Sequence, residues 1–244
     1  MAEWTRKFGY VIPSWNTVIE YETVRMLPPG MSAHFSRVTH TDDSEASLNH
    51  MAEALPSHVE LLSHAKVDVV CYACTAASFL HGRAHELDYM RKLQSSAAQP
   101  IVSMAGCIVD AAHHLGLKRL AVGAPYEQWL LDRLVGYLEQ SGFEVVRAVG
   151  LGEQANVKHS PDKAVELGRD AWSDGADGLI LSCSNFRTLE VIPALERELG
   201  KPVLSSNNAA VWKLLSMTGS RSSINGAGLL LDPATRQSPQ VSAA

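Results

Sequence analysis

Cys74 and Cys183 sit in matching contexts in two parts of the chain. The first stretch reads Val67-Asp68-Val69-Val70-Cys71-Tyr72-Ala73-Cys74-Thr75, the second Ala176-Asp177-Gly178-Leu179-Ile180-Leu181-Ser182-Cys183-Ser184. Each runs from an aspartate through an apolar segment to a cysteine and then a hydroxyl residue. The thiolate is the nucleophilic form of cysteine, and a free thiol titrates at about 8.5, so a reactive cysteine needs N–H groups or a helix N-terminus beside it. Thr75-Ala76-Ala77-Ser78 and Ser184-Asn185 suit strand-to-helix turns. Exposed amides at Thr75, Ala76, Ser184 and Asn185 can hold a carboxylate as well as a thiolate. The plainer alternative is a pair of buried cysteines acting as small hydrophobes. The duplicated context weighs against it.

Other residues compete for chemistry. Cys71 and Cys74 form a C-x-x-C, but Cys71 lies inside the apolar run, whereas a redox pair opens a helix and a zinc site needs two more ligands. Cys71 therefore reads as core, and Cys107, inside a helical pattern, as packing. His81 and His85 stand four apart in a polar, Gly-broken segment that reads as a solvated helix start. His113-His114 precede Gly116, where imidazoles suit a helix C-terminus. No phosphate loop or dinucleotide fingerprint is present. Asn16, in Pro13-Ser14-Trp15-Asn16-Thr17, can cap the next helix or reach a ligand. Tyr126 follows Val122-Gly123-Ala124-Pro125 at a strand end, and Asn156 lies in a loop with no helix to cap. Arg187 can assist an anion but reads first as a solvated helix start.

The elements that must position these residues alternate. Strands are expected over 8–13, 31–38, 67–72, 100–102, 119–122, 143–149, 178–181 and 202–204. Helices are expected over 17–26, 44–65, 87–97, 105–115, 127–140, 161–173, 189–199 and from 205 to about 217. In the second helix Leu48, Met51, Leu55, Val59 and Leu62 recur every three or four residues. Such alternation predicts an α/β fold with parallel sheets flanked by helices. The duplication extends to Gln99-Pro100-Ile101-Val102-Ser103 and Lys201-Pro202-Val203-Leu204-Ser205. Two similar Rossmann-like domains related by a pseudo-twofold axis are expected, with the site in the cleft between them. Residues 1–98 with about 206–230 would form the domain carrying Cys74, residues 99–205 the domain carrying Cys183, and 231–244 a mobile tail.

The 244 residues are 46% hydrophobic and 19% charged, the balance of a globular protein. A net charge of −5 without a long basic run argues against a nucleic-acid partner. No apolar run approaches the roughly 20 residues that span a bilayer, so no membrane partner is expected. The N-terminus lacks a signal-peptide core, and free thiols in the cytoplasm are the expectation. Homo-oligomerisation stays open.

Pro13-Ser14-Trp15-Asn16-Thr17, Tyr72-Ala73-Cys74-Thr75, Gly123-Ala124-Pro125-Tyr126, Leu181-Ser182-Cys183-Ser184 and Gly200-Lys201-Pro202-Val203-Leu204-Ser205-Ser206-Asn207 together resemble the aspartate/glutamate racemase superfamily. Within it they look most like the maleate cis-trans isomerase and arylmalonate decarboxylase branch, over about residues 9–215. The resemblance implies two α/β domains and a reaction without cofactor or metal. It also implies a small dicarboxylate substrate, Cys74 as nucleophile and Cys183 as proton donor and acceptor. Asn16, Tyr126, Asn156 and the turn amides would hold the carboxylates. Decarboxylases of this kind have glycine in place of Cys74, so the two thiols here point to cis-trans isomerisation. Racemisation, arylmalonate-type decarboxylation and non-catalytic dicarboxylate binding are the alternatives. Maleate isomerases typically read Pro-Ser-Ser-Asn-Thr where this chain has Trp15, a bulkier residue that reshapes the pocket.

Overall fold

The computed structural model describes residues 5–154, 158–220 and 223–231. The tail expected to be mobile lies, from residue 232, outside the described residues.

The two matched apolar runs become the strands β3 (Val69–Tyr72) and β7 (Gly178–Leu181), and every residue in them is buried. Helices cover both faces of a parallel sheet, so its inner strands are apolar without alternation. Together with β1 (Arg6–Pro13), β2 (Met31–Val38) and β4 (Ile101–Ser103), β3 forms a parallel sheet in the order β2-β1-β3-β4. With β5 (Arg119–Ala124), β6 (Glu144–Gly150) and β8 (Val203–Ser205), β7 forms a second, in the order β6-β5-β7-β8. The helices are α1 (Val18–Met26), α2 (Glu45–His64), α3 (Thr75–Phe79), α4 (Arg83–Ser96), α5 (Met104–His114), α6 (Gln128–Gln140), α7 (Pro161–Ala171), α8 (Ile192–Leu199) and α9 (Ser206–Met217). Helices α5 and α9 pack on each other, and α9 touches both β3 and β8. Among the described residues no helix is long and apolar enough to cross a membrane.

The duplicated residues turn out to be architectural. Asp68 accepts from the amide of Lys7 at 2.7 Å, and Asp177 from the amides of Lys118 and Arg119 at 3.0 and 2.8 Å. Each aspartate thus fixes the start of the strand beside its own. Ser103 and Ser205 are the N-caps of α5 and α9, accepting from Gly106 and Asn208. Pro100 and Pro202 precede edge strands, where a missing N–H removes no ladder bond, and their carbonyls accept from Val70 and Leu179 at 2.9 and 3.0 Å. The sequence pattern places the start of the second unit at residue 99. The first sheet nevertheless draws its last strand from beyond that point, because β4 completes the open edge of β3 as β8 completes that of β7.

Three elements differ from the expectation: α4 starts at Arg83 rather than Leu87, directly after Gly82, whose φ of +84° breaks the chain direction there. Helix α3 has five residues, too few for apolar periodicity to register. Helix α8 starts at Ile192 rather than Leu189, because the amides of Thr188 and Leu189 are held outside the helix by the Glu22 carboxylate, at 2.7 and 2.8 Å. Pro56 falls inside α2 and cannot bond the carbonyl of Ala52; the Tyr89 hydroxyl donates to that carbonyl instead, at 2.6 Å.

Candidate active site

Strand β3 delivers Cys74 to the N-cap position of α3. The amides of Ala76 and Ala77, open because the helix has just begun, donate toward its sulfur. Strand β7 delivers Cys183, whose φ of +113° is a left-handed value that a side chain rarely adopts. Such a conformation costs about 1–3 kcal/mol and persists only where surrounding bonds impose it. Here the Cys183 amide donates to Ser206 Oγ at 3.0 Å, and the Asn185 amide donates to Cys183 Sγ at 3.4 Å. Ser206 Oγ also accepts from Thr75 Oγ1 at 3.1 Å, so one hydroxyl joins both cysteine turns.

Both cysteines line one small cavity. Each is only 4% exposed. Thr75, Ala76, Ser184 and Asn185 line the same cavity, as do Asn16 and Tyr126. Asn156 lies outside the described residues. Asn16 is fully buried and both caps and reaches inward. Its Oδ1 accepts from the amides of Val18 and Ile19, both at 3.1 Å, while its Nδ2 donates to Ser184 Oγ at 2.9 Å. Ser184 Oγ donates in turn to the carbonyl of Ala73 at 3.1 Å. Arg187 is elsewhere, paired with Glu190 and set over the Tyr21 ring.

Burial dominates the electrostatics. It pushes the Cys74 thiol up to about 12, against the amides of Ala77 and Ala76, with the Asp43 charge adding to the rise. It pushes Cys183 likewise to about 12, opposed by the Asn185 amide and the Tyr126 hydroxyl. Burial also holds the Tyr126 phenol well above its ordinary range. At neutral pH both sulfurs therefore rest as thiols. Two such groups can share one proton: one sulfur attacks carbon while the other delivers or removes a hydrogen.

Pro13, Trp15, His40 and Asp43 complete the wall. The sequence reading singled out Trp15 but missed His40 and Asp43. They follow the end of β2, and applying to β2 the strand-end rule used for the cysteine strands would have reached them. Cys71 and Cys107 are buried beside each other and free. His81 bonds Asn49 at 2.7 Å and packs edge-on against His85. Among the described residues no group of three or more His, Cys, Asp or Glu side chains is placed to hold a metal ion.

The chain resembles known enzymes along nearly its whole length. Maleate isomerase of Geobacillus stearothermophilus is 30% identical, over 92% of this chain and 96% of its own. Maleate isomerase of Pseudomonas putida is 31% identical, over 93% and 98%. A mutant of Nocardia farcinica maleate cis-trans isomerase with a covalently bound succinylcysteine intermediate shares the fold, with a TM-score of 0.82, 24% identity, and coverage of 93% of this chain and 98% of its own. The family model for arylmalonate decarboxylase matches residues 9–231, and the chain belongs to that family.

Proposed function

We propose that the protein is a cofactor-independent isomerase that converts a cis-butenedioate, maleate or a close relative, into its trans isomer in the cytoplasm. Each sheet with its helices acts as one α/β domain, and each domain contributes one sulfur. The reactive state carries one proton on the two sulfurs. Cys74, deprotonated, adds to one alkene carbon; a C–S bond forms and the π pair moves to the adjacent carbon, which takes the proton of Cys183. The former double bond is now a single bond and rotates. Cys183 then takes the proton back, the C–S bond breaks and the trans alkene forms. Asn16, Tyr126 and Asn156, with the amides of Thr75, Ala76, Ser184 and Asn185, hold the carboxylates and the charge that develops on one of them.

What carries this reading is one arrangement: two thiols, one from each sheet, on the wall of one small cavity, each with backbone amides at its sulfur. Creating the Cys74 thiolate from a thiol at about 12 costs about 7 kcal/mol at neutral pH even with the turn amides in place, which bound substrate must offset. Cys74→Ala should abolish turnover without unfolding the chain. Cys183→Ala should remove the group that delivers and takes back the proton, so that an adduct protonated slowly by water cannot expel the thiolate and stays on Cys74, visible by intact mass. Isomerisation that survives both substitutions would refute the assignment.

A further inference from the structure

Asp43 supplies the carboxylate of the cavity wall, with the His40 imidazole beside it, and no Lys or Arg stands among the described residues that line it. His40 is packed behind Asp43: its side chain is 1% exposed, that of Asp43 10%. His40 Nε2 lies 3.4 Å from Asp43 Oδ1, its Nδ1 lies 3.0 Å from Ser47 Oγ, and the Trp15 ring meets it edge-on at 4.6 Å between centroids. Both residues line the cavity, and the Asp43 carboxylate is the more exposed of the pair. It acts electrostatically on Cys74, Cys183 and Tyr126 alike, which sets it within range of every reacting group.

The approach is acidic as well. A larger depression of about 520 Å³ meets the cavity at Asp43 and is also lined by Asp42, Glu45, Glu127 and Glu153, again without a Lys or Arg among the described residues. A concave surface of one sign lowers the local concentration of ligands of the same sign, and like charges brought together inside a site are strongly disfavoured. A dianion would meet both penalties.

We infer that Asp43 sets the substrate class: the molecule taken in carries one carboxylate, held by the turn amides, and on its far carbon an uncharged or cationic hydrogen-bond donor that faces Asp43, as in the monoamide of cis-butenedioic acid. This narrows the isomerase reading and rests on it.

Proton NMR on the purified full chain, with the cis monoamide and the cis diacid as parallel substrates at neutral pH, tests it. The wild-type protein should convert the monoamide with kcat/KM about 10- to 100-fold above the diacid. Asp43→Asn, of the same size, should shrink or invert that ratio by raising the diacid and lowering the monoamide. Preference of the wild-type protein for the diacid, or a ratio unmoved in a folded Asp43→Asn variant, overturns the role of Asp43 while leaving the isomerase reading intact. Turnover of neither compound overturns both.

Discussion

Replacing Glu22 by alanine removes a carboxylate that three elements share. It sits on α1, is 1% exposed, and accepts from the amides of Thr188 and Leu189 at 2.7 and 2.8 Å and from Asn207 Nδ2 at 2.7 Å. Without it, two backbone donors and two side-chain donors, Asn207 Nδ2 and the Thr188 hydroxyl at 3.4 Å, lose their acceptor, although Asn207 Nδ2 keeps a second bond to the Ser184 carbonyl at 3.2 Å. A buried donor left unpaired costs about 1–3 kcal/mol, so Glu22→Ala should destabilise the fold by about 3–5 kcal/mol. Glu22→Gln should behave differently. Burial raises the Glu22 carboxyl pKa against its three hydrogen-bonding partners, so a neutral side chain of the same shape is spared the desolvation of the charge. Glutamine keeps an acceptor for both amides, and Asn207 can turn its unpartnered Oδ1 toward the new NH2 group. A cost of about 1 kcal/mol follows. Urea unfolding measures both, with the midpoint moving and the slope constant. Thr188 and Leu189 belong to the loop that starts at Cys183, so the alanine variant should also lose kcat. An alanine variant within about 1 kcal/mol of wild type, or a glutamine variant as damaged as the alanine one, would refute this account.

Three further outcomes are expected. Because Cys183 holds a φ of +113°, Cys183→Gly should be more stable than Cys183→Ala by about 1 kcal/mol in urea, the reverse of the usual order, although neither turns over substrate. Because both active-site thiols are pushed up to about 12, carboxamidomethylation of Cys74 by iodoacetamide should rise about tenfold per pH unit from about pH 8 to 11; a plateau from about pH 9 would contradict it. The same shift acts on stability: the folded state holds these protons more tightly than the unfolded chain. Their contribution is therefore complete below about pH 8.5 and is lost as pH rises toward 12. Finally, Tyr89→Phe should cost about 1 kcal/mol by urea unfolding, since it strips the carbonyl that Pro56 leaves open of its donor.

The alternation of apolar strands with amphipathic helices was readable in the chain because each element is long enough to repeat its period; α2, with Leu48 to Leu62 on one face, is the clearest case. The two cysteine strands were readable from duplication, since Asp68 and Asp177 do the same mechanical work. The gathering of Asn16, Tyr126 and both cysteines at one cavity followed from strand ends and from the resemblance. What escaped was set by contacts distant in sequence. Glu22 reads as an ordinary helix-surface glutamate until α1 is packed against the loop at Thr188. His40 and Asp43 sit in a polar stretch, His40-Thr41-Asp42-Asp43-Ser44, that looks like a solvated loop until Trp15 and Ser47 cover the histidine. The five residues of α3 hold too few positions to reveal a period at all.

The cavity wall divides into two parts with different tolerance for change. On one side the sulfurs are locked: Ser206 Oγ accepts from both Thr75 and Cys183, Ser184 bonds Ala73, and Asn16 bonds Ser184, so the polar bonds that fix one cysteine turn also fix the other. These groups are buried, and shifting the two sheets apart would leave each donor unpaired at about 1–3 kcal/mol. Side chains that act together on one small molecule need their spacing held to about 0.5 Å, and turns fixed at strand ends favour that. On the other side, Trp15, His40 and Asp43 bond within the loops that follow β1 and β2 and with α2. A substitution there changes the charge and shape that a ligand meets while the sulfurs stay in place. Reaction type is therefore carried by the locked side of the wall and substrate choice by the loop side, which is why Asp43, rather than either cysteine, is the position at which selectivity is expected to move.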